Sequence, residues 1–351
     1  MIPAPPFPRQ YEQRVDTAAT ASFIARVQKT SGEIPWSEGG QTDPWDHVES
    51  AMGLTVAGFY DAAKKAYQWS ARSQLPDGSW WSSYRCGRPE PKAHKDANMS
   101  AYIAVGVLHY HLVTGDGDFM EEMWLPVERA MDFVIDLQRA DGAFRWAKRA
   151  DGTFSERALL TGSSSIYMSL NCAIELAAHL NVQKPAWTAA RNRLEAVIRH
   201  APHRFDTTKS RFSMDWYYPV LCGALTGQAA RRRIQAGWER FAVPGWGVRC
   251  VTDRPWVTMA ETAELALALA AMGESEAAEI VFGWILDKRY PNGAFWTGVT
   301  FPNGVIYTTE QTTWTAGAVL LAADSIYGFT PASRLFGHEV WEPPAVLRHK
   351  L

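Results

Sequence analysis

The feature that most constrains the fold of this chain is an internal repeat. A Gln is followed four positions later by a Gly and then by an apolar or aromatic cluster. Three copies have this form, at Gln28 to Gly32, Gln74 to Gly78 and Gln138 to Gly142; a fourth, Arg289 to Gly293, has Arg in place of Gln, and two weaker copies surround Phe212 and Gly245. Self-similarity at this period predicts a repeat architecture of six units, each with room for two helices.

The segments between these motifs have a helical pattern. Residues 264–286 are rich in Ala, Leu and Glu and are interrupted by a single Gly turn. An outer helix ends at each Gln or Arg, a long loop follows, and an inner helix then leads through a short turn to the next outer helix. The sequence therefore predicts an all-α protein, an (α/α)6 toroid of about twelve helices. It forms one domain over 1–351 with short N-terminal and C-terminal extensions.

The long and short connections alternate along the chain. Long loops are predicted at 30–44, 75–95, 139–160, 202–213, 242–256 and 291–307. All of them join an outer helix to an inner helix, so a closed ring would place every long loop, and the start of every inner helix, on one face. Long loops on a rigid scaffold usually carry function, so we expect the site on this face.

Composition excludes several classes of function. The 351 residues contain 35 Lys and Arg against 37 Asp and Glu, a net charge of −2, which leaves no basic surface for nucleic acid. No apolar run reaches the ~20 residues that a membrane span needs. The first ten residues lack a secretory signal and the four Cys lack CxxC spacing, so we expect reduced thiols in the cytoplasm. The oligomeric state is not predicted.

Acidic residues recur at the predicted starts of the inner helices. Asp46 and Glu49 share a helix face three residues apart, as do Glu261 and Glu264. Asp96 and Glu310 begin two further units. Helix capping and the helix dipole also favour acids in first turns, which explains Asp43 before Pro44 and is the simpler explanation of Asp96. A second acid one turn deeper, on a helix that should be apolar, favours a polar cavity instead.

Aromatic residues accompany these acids. The chain contains sixteen Trp. Trp36, Trp80 and Trp146 are interpreted first as structural clamps between helix pairs. A pyranose stacks its apolar face on a flat ring while its hydroxyls bond to acids, so residues beside the acids are candidates for substrate binding. These candidates are Trp45, Glu49, Asp96, Trp216, Tyr217, Trp256, Glu264, Trp296 and Glu310.

The combination predicts a glycoside hydrolase. Cleavage needs one carboxylic acid to protonate the leaving oxygen and a second carboxylate to activate water or to attack carbon. Asp46 and Glu261, on separate inner helices, are the predicted catalytic pair, and opposite walls suit the wider separation of an inverting enzyme. His47 and His94 lack the spacing of metal ligands, so no metal and no other cofactor is predicted.

Two resemblances bear on this interpretation. The repeated motif resembles the repeats of squalene/hopene cyclases and protein prenyltransferase β subunits, which implies a toroid; their activities are not implied, because the chain lacks a DxDD run and a DxC zinc context. The stretches DPWDHVESAMGL, PDGSWWSSY and TMAETAELALALAAMGE are similar to the mycobacterial methylmannose polysaccharide hydrolases. That resemblance implies α-1,4-endomannanase activity on a cytoplasmic 3-O-methylmannose polymer. A terpenoid cyclase or prenyltransferase-like enzyme and a non-catalytic toroid binding protein remain the alternatives.

Overall fold

A computed structural model describes residues 15–341, in which helices alternate with long loops. The helices are α1 (Thr17–Val27), α2 (Pro44–Val56), α3 (Tyr60–Ser73), α4 (Ala97–Ala101), α5 (Ile103–Thr114), α6 (Gly117–Asp136), α7 (Leu160–His179), α8 (Pro185–His200), α9 (Ser213–Leu221), α10 (Gly227–Phe241), α11 (Met259–Ala271), α12 (Ser275–Gly283), α13 (Thr313–Tyr327) and α14 (His338–Trp341). Two 3₁₀ turns, Pro202–Arg204 and Thr207–Arg211, lie between α8 and α9.

The helices form two concentric layers. The inner helices α2, α4–α5, α7, α9, α11 and α13 each pack against the next one, and α13 packs against α2, which closes the ring. The outer helices are α1, α3, α6, α8, α10 and α12. This arrangement confirms the predicted (α/α)6 toroid; the fourth unit of the inner layer is the short helix α9, and the second is divided into α4 and α5.

Burial separates the two layers. In α11 twelve of the thirteen residues are buried, whereas α10 buries only Ala230, Ile234, Gly237 and Phe241 along one stripe. An inner helix is covered by both neighbours and by the outer layer, so it is apolar on nearly all sides. Close approach at the seam between α2 and α13 depends on Gly53 and Gly317, since a Cβ at Gly53 would stand 2.9 Å from the Gly317 Cα.

The repeat motif joins neighbouring units. The Gln74 side-chain amide donates both to Gly78 O in its own loop and to Pro126 O in the next outer helix, and Gln28 and Gln138 make the same pair of bonds in their units. In the sixth unit Arg289 is exposed, and the Arg26 guanidinium donates to Asn292 O at the closing seam. The Gln position is thus a hydrogen-bonded clamp between outer helices.

The long connections contain eight short strands. They are β1 (Tyr84–Arg85), β2 (Arg88–Pro89), β3 (Lys95–Asp96), β4 (Ala147–Lys148), β5 (Ala242–Val243), β6 (Gly247–Arg249), β7 (Trp256–Thr258) and β8 (Gly298–Thr300). Strands β1 and β2 pair, β3 and β4 pair, and β5 to β8 form one antiparallel sheet in sequence order. The sequence contains little of the alternation that signals strands, because these pieces are only two or three residues long.

Backbone hydrogen bonds link the six long loops in order around the ring. Loop one joins loop two at Thr42 and Tyr84, β3 pairs with β4 between loops two and three, and the Asp206 N–H donates to Ala158 O between loops three and four. Ser213 N–H donates to Cys250 O, β7 pairs with β8, and Thr313 N–H donates to Trp36 O to complete the circle. All six loops therefore lie on one face, as predicted.

Residues 1–14, with the first ten residues among them, and residues 342–351 lie outside the described part of the chain, whereas α14 of the predicted C-terminal extension lies within it. Among residues 15–341, no helix combines the length and the apolar character needed to cross a bilayer.

Candidate active site

The mouth of the toroid is formed by the long loops and by the first turns of the inner helices. At the start of α2, the Asp43 side chain accepts the Asp46 N–H at 2.9 Å, and Pro44 occupies the first helical position. The expected cap is therefore present. Asp46 lies in the first turn of α2. Its side chain has protein on most sides but keeps partial access to solvent, as a group at the base of a concavity does.

The second predicted catalytic acid lies in the first turn of α11. Glu261 is 5% exposed, and its Oε2 atom has no hydrogen-bond partner within the described residues. A buried polar atom without a partner carries a cost of about 1–3 kcal/mol, which a bound water or substrate hydroxyl would relieve. Helix α13 packs against both α2 and α11, so the two acids begin helices on either side of it.

One turn deeper, Glu49 and Glu264 lie on the axis of the toroid. They line an enclosed cavity of about 10 Å³ to which every inner helix contributes, including Met168 of α7 and Ala318 of α13. A single water needs roughly 10–15 Å³, so this cavity holds at most one water and no sugar ring. Both residues therefore lie beneath the mouth, and the binding of substrate by Glu49 and Glu264 stays a prediction.

Two tyrosines of α9 bind Glu264 in this layer. The Tyr217 and Tyr218 hydroxyls donate to the two different carboxylate oxygens of Glu264. Tyr217 is among the predicted residues, whereas Tyr218, which follows directly in the sequence, is not. Nothing in the spacing distinguishes two tyrosines that share one buried acceptor from two that pack in a core. Tyr102 also lines the cavity and was missed.

The carboxylates are strongly coupled. Burial raises the pKa of Asp46 well above its usual range, and the negative charges of Asp43, Glu49 and Glu264 raise it further. Burial, then the charge of Glu264, likewise raises the pKa of Glu49. Burial raises the pKa of Glu264, while the bonds from Tyr217 and Tyr218 lower it. Burial and mutual repulsion therefore favour the protonated form of these carboxyl groups, which is the form required of a general acid.

Aromatic and polar residues surround the acids at two levels. Trp45 packs its ring against those of Tyr102 and Tyr218, each at 5.5 Å, and so belongs to the floor. On the rim, the Trp256 indole N–H donates to Tyr307 O, and the two rings meet edge to face at 5.8 Å. Tyr307 is 58% exposed and was not predicted.

Two other rim candidates lie in the sixth loop. Trp296 is half-buried and packs on the hydrophobic core, while its backbone N–H donates to Lys288 O. Glu310 is exposed and accepts the Ser37 hydroxyl at 2.6 Å. Both therefore lie on loops of the long-loop face, away from the layer of Glu49 and Glu264.

Two predicted binding residues have other roles in the structure. Trp216 is buried between α9 and α10, where it stacks on Phe241 and donates to Arg233 O, so it faces the outer layer and not the mouth. This prediction is wrong because adjacent helix positions point about 100° apart, and Tyr217 takes the inward direction. Asp96 caps α4 by accepting the Met99 N–H at 3.0 Å, which is the simpler of the two explanations considered.

The chemistry of the axis distinguishes the classes of enzyme considered. A terpenoid or prenyl enzyme needs an aliphatic and aromatic cavity, and placing four carboxylates at its base is costly. Among residues 15–341, no group of three or more His, Cys, Asp or Glu is arranged to hold a metal ion. The predicted pair, Asp46 and Glu261, supplies two carboxyl groups of the kind that acid and base work on a sugar requires, and Trp45 adjoins Asp46 in the sequence.

Comparison with known proteins supports the same interpretation. The chain is 49% identical over 317 residues, 90% of its length and 88% of the other protein, to the MMP endo-(1,4)-3-O-methyl-alpha-D-mannosidase of Mycolicibacterium hassiacum. No protein-family model matches.

Solved structures share the fold at low sequence identity. A glycosidase in complex with glucose superposes with a TM-score of 0.70 at 14% identity, covering 93% of this chain and 100% of that one. The GH63 mannosylglycerate hydrolase of Thermus thermophilus gives 0.69 at 11% identity, covering 87% and 98%. At this level of identity these two neighbours establish the toroid alone.

Proposed function

The chain belongs to the family of the MMP endo-(1,4)-3-O-methyl-α-D-mannosidases, and from that premise we propose that it hydrolyses internal α-1,4 bonds of a 3-O-methylmannose polysaccharide. The observation that carries the proposal is the pair of first-turn acids, Asp46 and Glu261, at the mouth of a toroid whose curated relative has this activity by name. The family relationship supports the substrate, and the two carboxyl groups support the chemistry.

In the proposed mechanism Asp46 is the general acid. Its raised pKa favours the protonated carboxyl group, which can transfer its proton to the leaving glycosidic oxygen. Glu261 is the general base: its unpartnered Oε2 accepts a proton from water as the water oxygen attacks the anomeric carbon. The glycosidic bond breaks, one water is added, and the configuration at the anomeric carbon inverts. Carboxylates and water suffice for these steps.

The rim supplies the proposed binding surface for a long chain. Trp256 lies directly before α11, so its ring is within two or three sugar lengths of Glu261. We propose that it stacks on a pyranose, with Trp296 and Glu310 contacting sugars farther along the same face. We also propose a cytoplasmic location, which the four free thiols support.

The test is cleavage of defined substrates. Purified protein would be incubated with 3-O-methylmannose oligosaccharides of several lengths and with unmethylated α-1,4-mannosides, and the products would be sized by mass spectrometry. We expect fragments of several residues from the methylated chains at early times. Release of single sugars from an end would contradict endo action, and no cleavage of any α-mannoside would contradict the proposed function.

A further inference from the structure

The cap residue Asp43 makes more bonds than a cap requires. Its Oδ1 atom accepts the Asp46 N–H, which alone satisfies the start of α2. Its Oδ2 atom accepts the indole N–H of Trp36, and its carboxylate lies close enough to the Asp46 side chain for its charge to raise the pKa of Asp46. A helix start needs only the first of these contacts, so the other two call for a separate explanation.

Backbone hydrogen bonds to α13 and to its own loop hold Trp36 in place. Its backbone carbonyl accepts the Thr313 N–H at 2.7 Å, at the start of α13, and its own N–H donates to Gln41 O. The indole therefore reaches Asp43 from a loop anchored at two points. Burial raises the pKa of Asp43, but the N–H donors on both of its oxygens favour the charged form and hold the carboxylate in one orientation.

We propose that Asp43, oriented by Trp36, is a positioning residue that keeps the proton on the Asp46 carboxyl group and directs it for transfer to the leaving oxygen. The proposal deepens the proposed function and rests on it for the role of Asp46. In the resting state the proton stays on the Asp46 carboxyl group, next to the Asp43 carboxylate. In the reaction that proton moves to the glycosidic oxygen and Asp46 becomes a carboxylate, while Glu261 takes one proton from the attacking water. Solvent then carries this proton from Glu261 back to Asp46, which restores the starting state.

The charges that surround Asp46 support this arrangement. Asp43 faces it from the start of its own helix, Glu49 from one turn below, and Glu264 from α11. All three are acids, so each one that is ionised disfavours ionisation of Asp46. Glu264 already receives two tyrosine hydroxyls, and Asp43 receives N–H groups from Trp36 and Asp46. Asp46 lacks comparable donors in this cluster and therefore retains the proton.

The variant Asp43→Asn distinguishes the capping role of Asp43 from the effect of its negative charge on Asp46. Asn caps a helix about as well as Asp, so the unfolding midpoint should stay at the wild-type value while the negative charge is lost. The alkaline limb of the pH profile of kcat/KM should then move down by about one pH unit, which lowers activity about tenfold above that pH. Asp116→Asn is the matched control, since Asp116 caps α6 on the short-turn face. A role confined to capping predicts no movement of the limb.

Trp36→Phe is the second variant, because it leaves the cap intact and removes one donor to Asp43. Its alkaline limb should move in the same direction by a smaller amount. A readout without substrate is the ¹³C resonance of the Asp46 carboxyl carbon, identified by its absence in Asp46→Asn. We expect this carbon to titrate well above pH 4 in wild type and at lower pH in Asp43→Asn.

The outcomes separate the two proposals. An unchanged alkaline limb together with an unchanged carboxyl titration in Asp43→Asn would overturn the positioning role. If wild type has no hydrolase activity but its Asp46 carboxyl group titrates at higher pH than that of Asp43→Asn, the proposed function is wrong. The effect of Asp43 on Asp46 would then still stand.

Discussion

Gly293 lies so close to Ala19 that a Cβ at position 293 would stand 2.2 Å from the Ala19 carbonyl oxygen. The last repeat loop thus packs against the first outer helix, as Gly32 packs on Lys65 and Gly78 on Arg129 in earlier units. The same glycine contact that joins neighbouring units in sequence also closes the ring between its two ends. Ring closure holds the first turns of α2 and α11 in one mouth.

Gly293→Ala should therefore destabilise the protein strongly. The substitution adds a Cβ at a φ of +92° and also forces the loop away from α1, and we expect a loss of about 3 kcal/mol in the free energy of unfolding. Gly39→Ala is the control, with a φ of +71° and nothing within 4 Å, and should lose only about 1 kcal/mol. Urea titration measures both; equal losses would show that ring closure does not depend on this contact.

His47 should make stability depend on pH. It is fully buried, its Nδ1 accepts the Ile34 N–H, its Nε2 donates to Ala66 O, and burial lowers its pKa to about 4. An unfolded chain binds this proton more readily, so the stabilisation is complete above pH 6.5 and is lost as pH falls towards 4. The stability advantage of wild type over His47→Gln should be about 2 kcal/mol smaller at pH 5 than at pH 7.

The control for this experiment is His200→Gln, because His200 is exposed at the end of α8. Its difference from wild type in urea titrations should be the same at both pH values. A His47→Gln difference that also stays constant would contradict the role assigned to the buried neutral imidazole.

Trp256 should contribute to binding and not to the chemical step. Trp256→Ala removes a ring that stacks on a sugar, worth about 0.5–1.5 kcal/mol, so kcat/KM for long oligosaccharides should fall by about two- to twelvefold with little change in kcat. Trp256→Phe keeps a flat ring but loses the N–H bond to Tyr307 O, and should recover most of the loss. A fall in kcat of the same size in both variants would place Trp256 in a different role.

The stereochemical outcome tests the wide separation predicted for Asp46 and Glu261. We expect the new reducing end to appear in the β configuration when an α-mannosidic bond is hydrolysed with inversion. Proton NMR during the first minutes, before mutarotation, measures the anomer directly. An α product would replace the single displacement with a covalent intermediate on one of the carboxylates.

Sequence alone was sufficient for the architecture of this chain. The Gln and Gly of the repeat are only four positions apart, yet both contact the next outer helix. The repeat therefore also predicts contacts between units that are distant in sequence. Arg289 shows the limit of the pattern: it occupies the Gln position, yet it is exposed and Arg26 supplies the bond at that seam. When a repeat residue is replaced, the sequence does not show which other residue makes the contact between the units instead.

The site was predictable in part. Helical spacing of three residues placed Glu49 below Asp46 and Glu264 below Glu261 on their helices, but it does not show how deep the cavity reaches, so the binding of substrate by Glu49 and Glu264 stays a prediction. Trp216 and Tyr217 are adjacent in sequence and point to different layers, which depends on the rotation of α9. The second role of Asp43 depends on Trp36, which reaches it from the preceding loop.

The most direct test of the account is the activity of Asp46→Asn and Glu261→Gln on 3-O-methylmannose oligosaccharides, with Asp116→Asn as the control for an amide at a helix start. Both amides preserve shape while removing titration, so each should lower kcat by roughly 10²–10⁴ with unchanged folding, and Asp116→Asn should retain wild-type turnover. Near-normal turnover in Asp46→Asn or in Glu261→Gln would contradict the assignment of that residue to the catalytic pair.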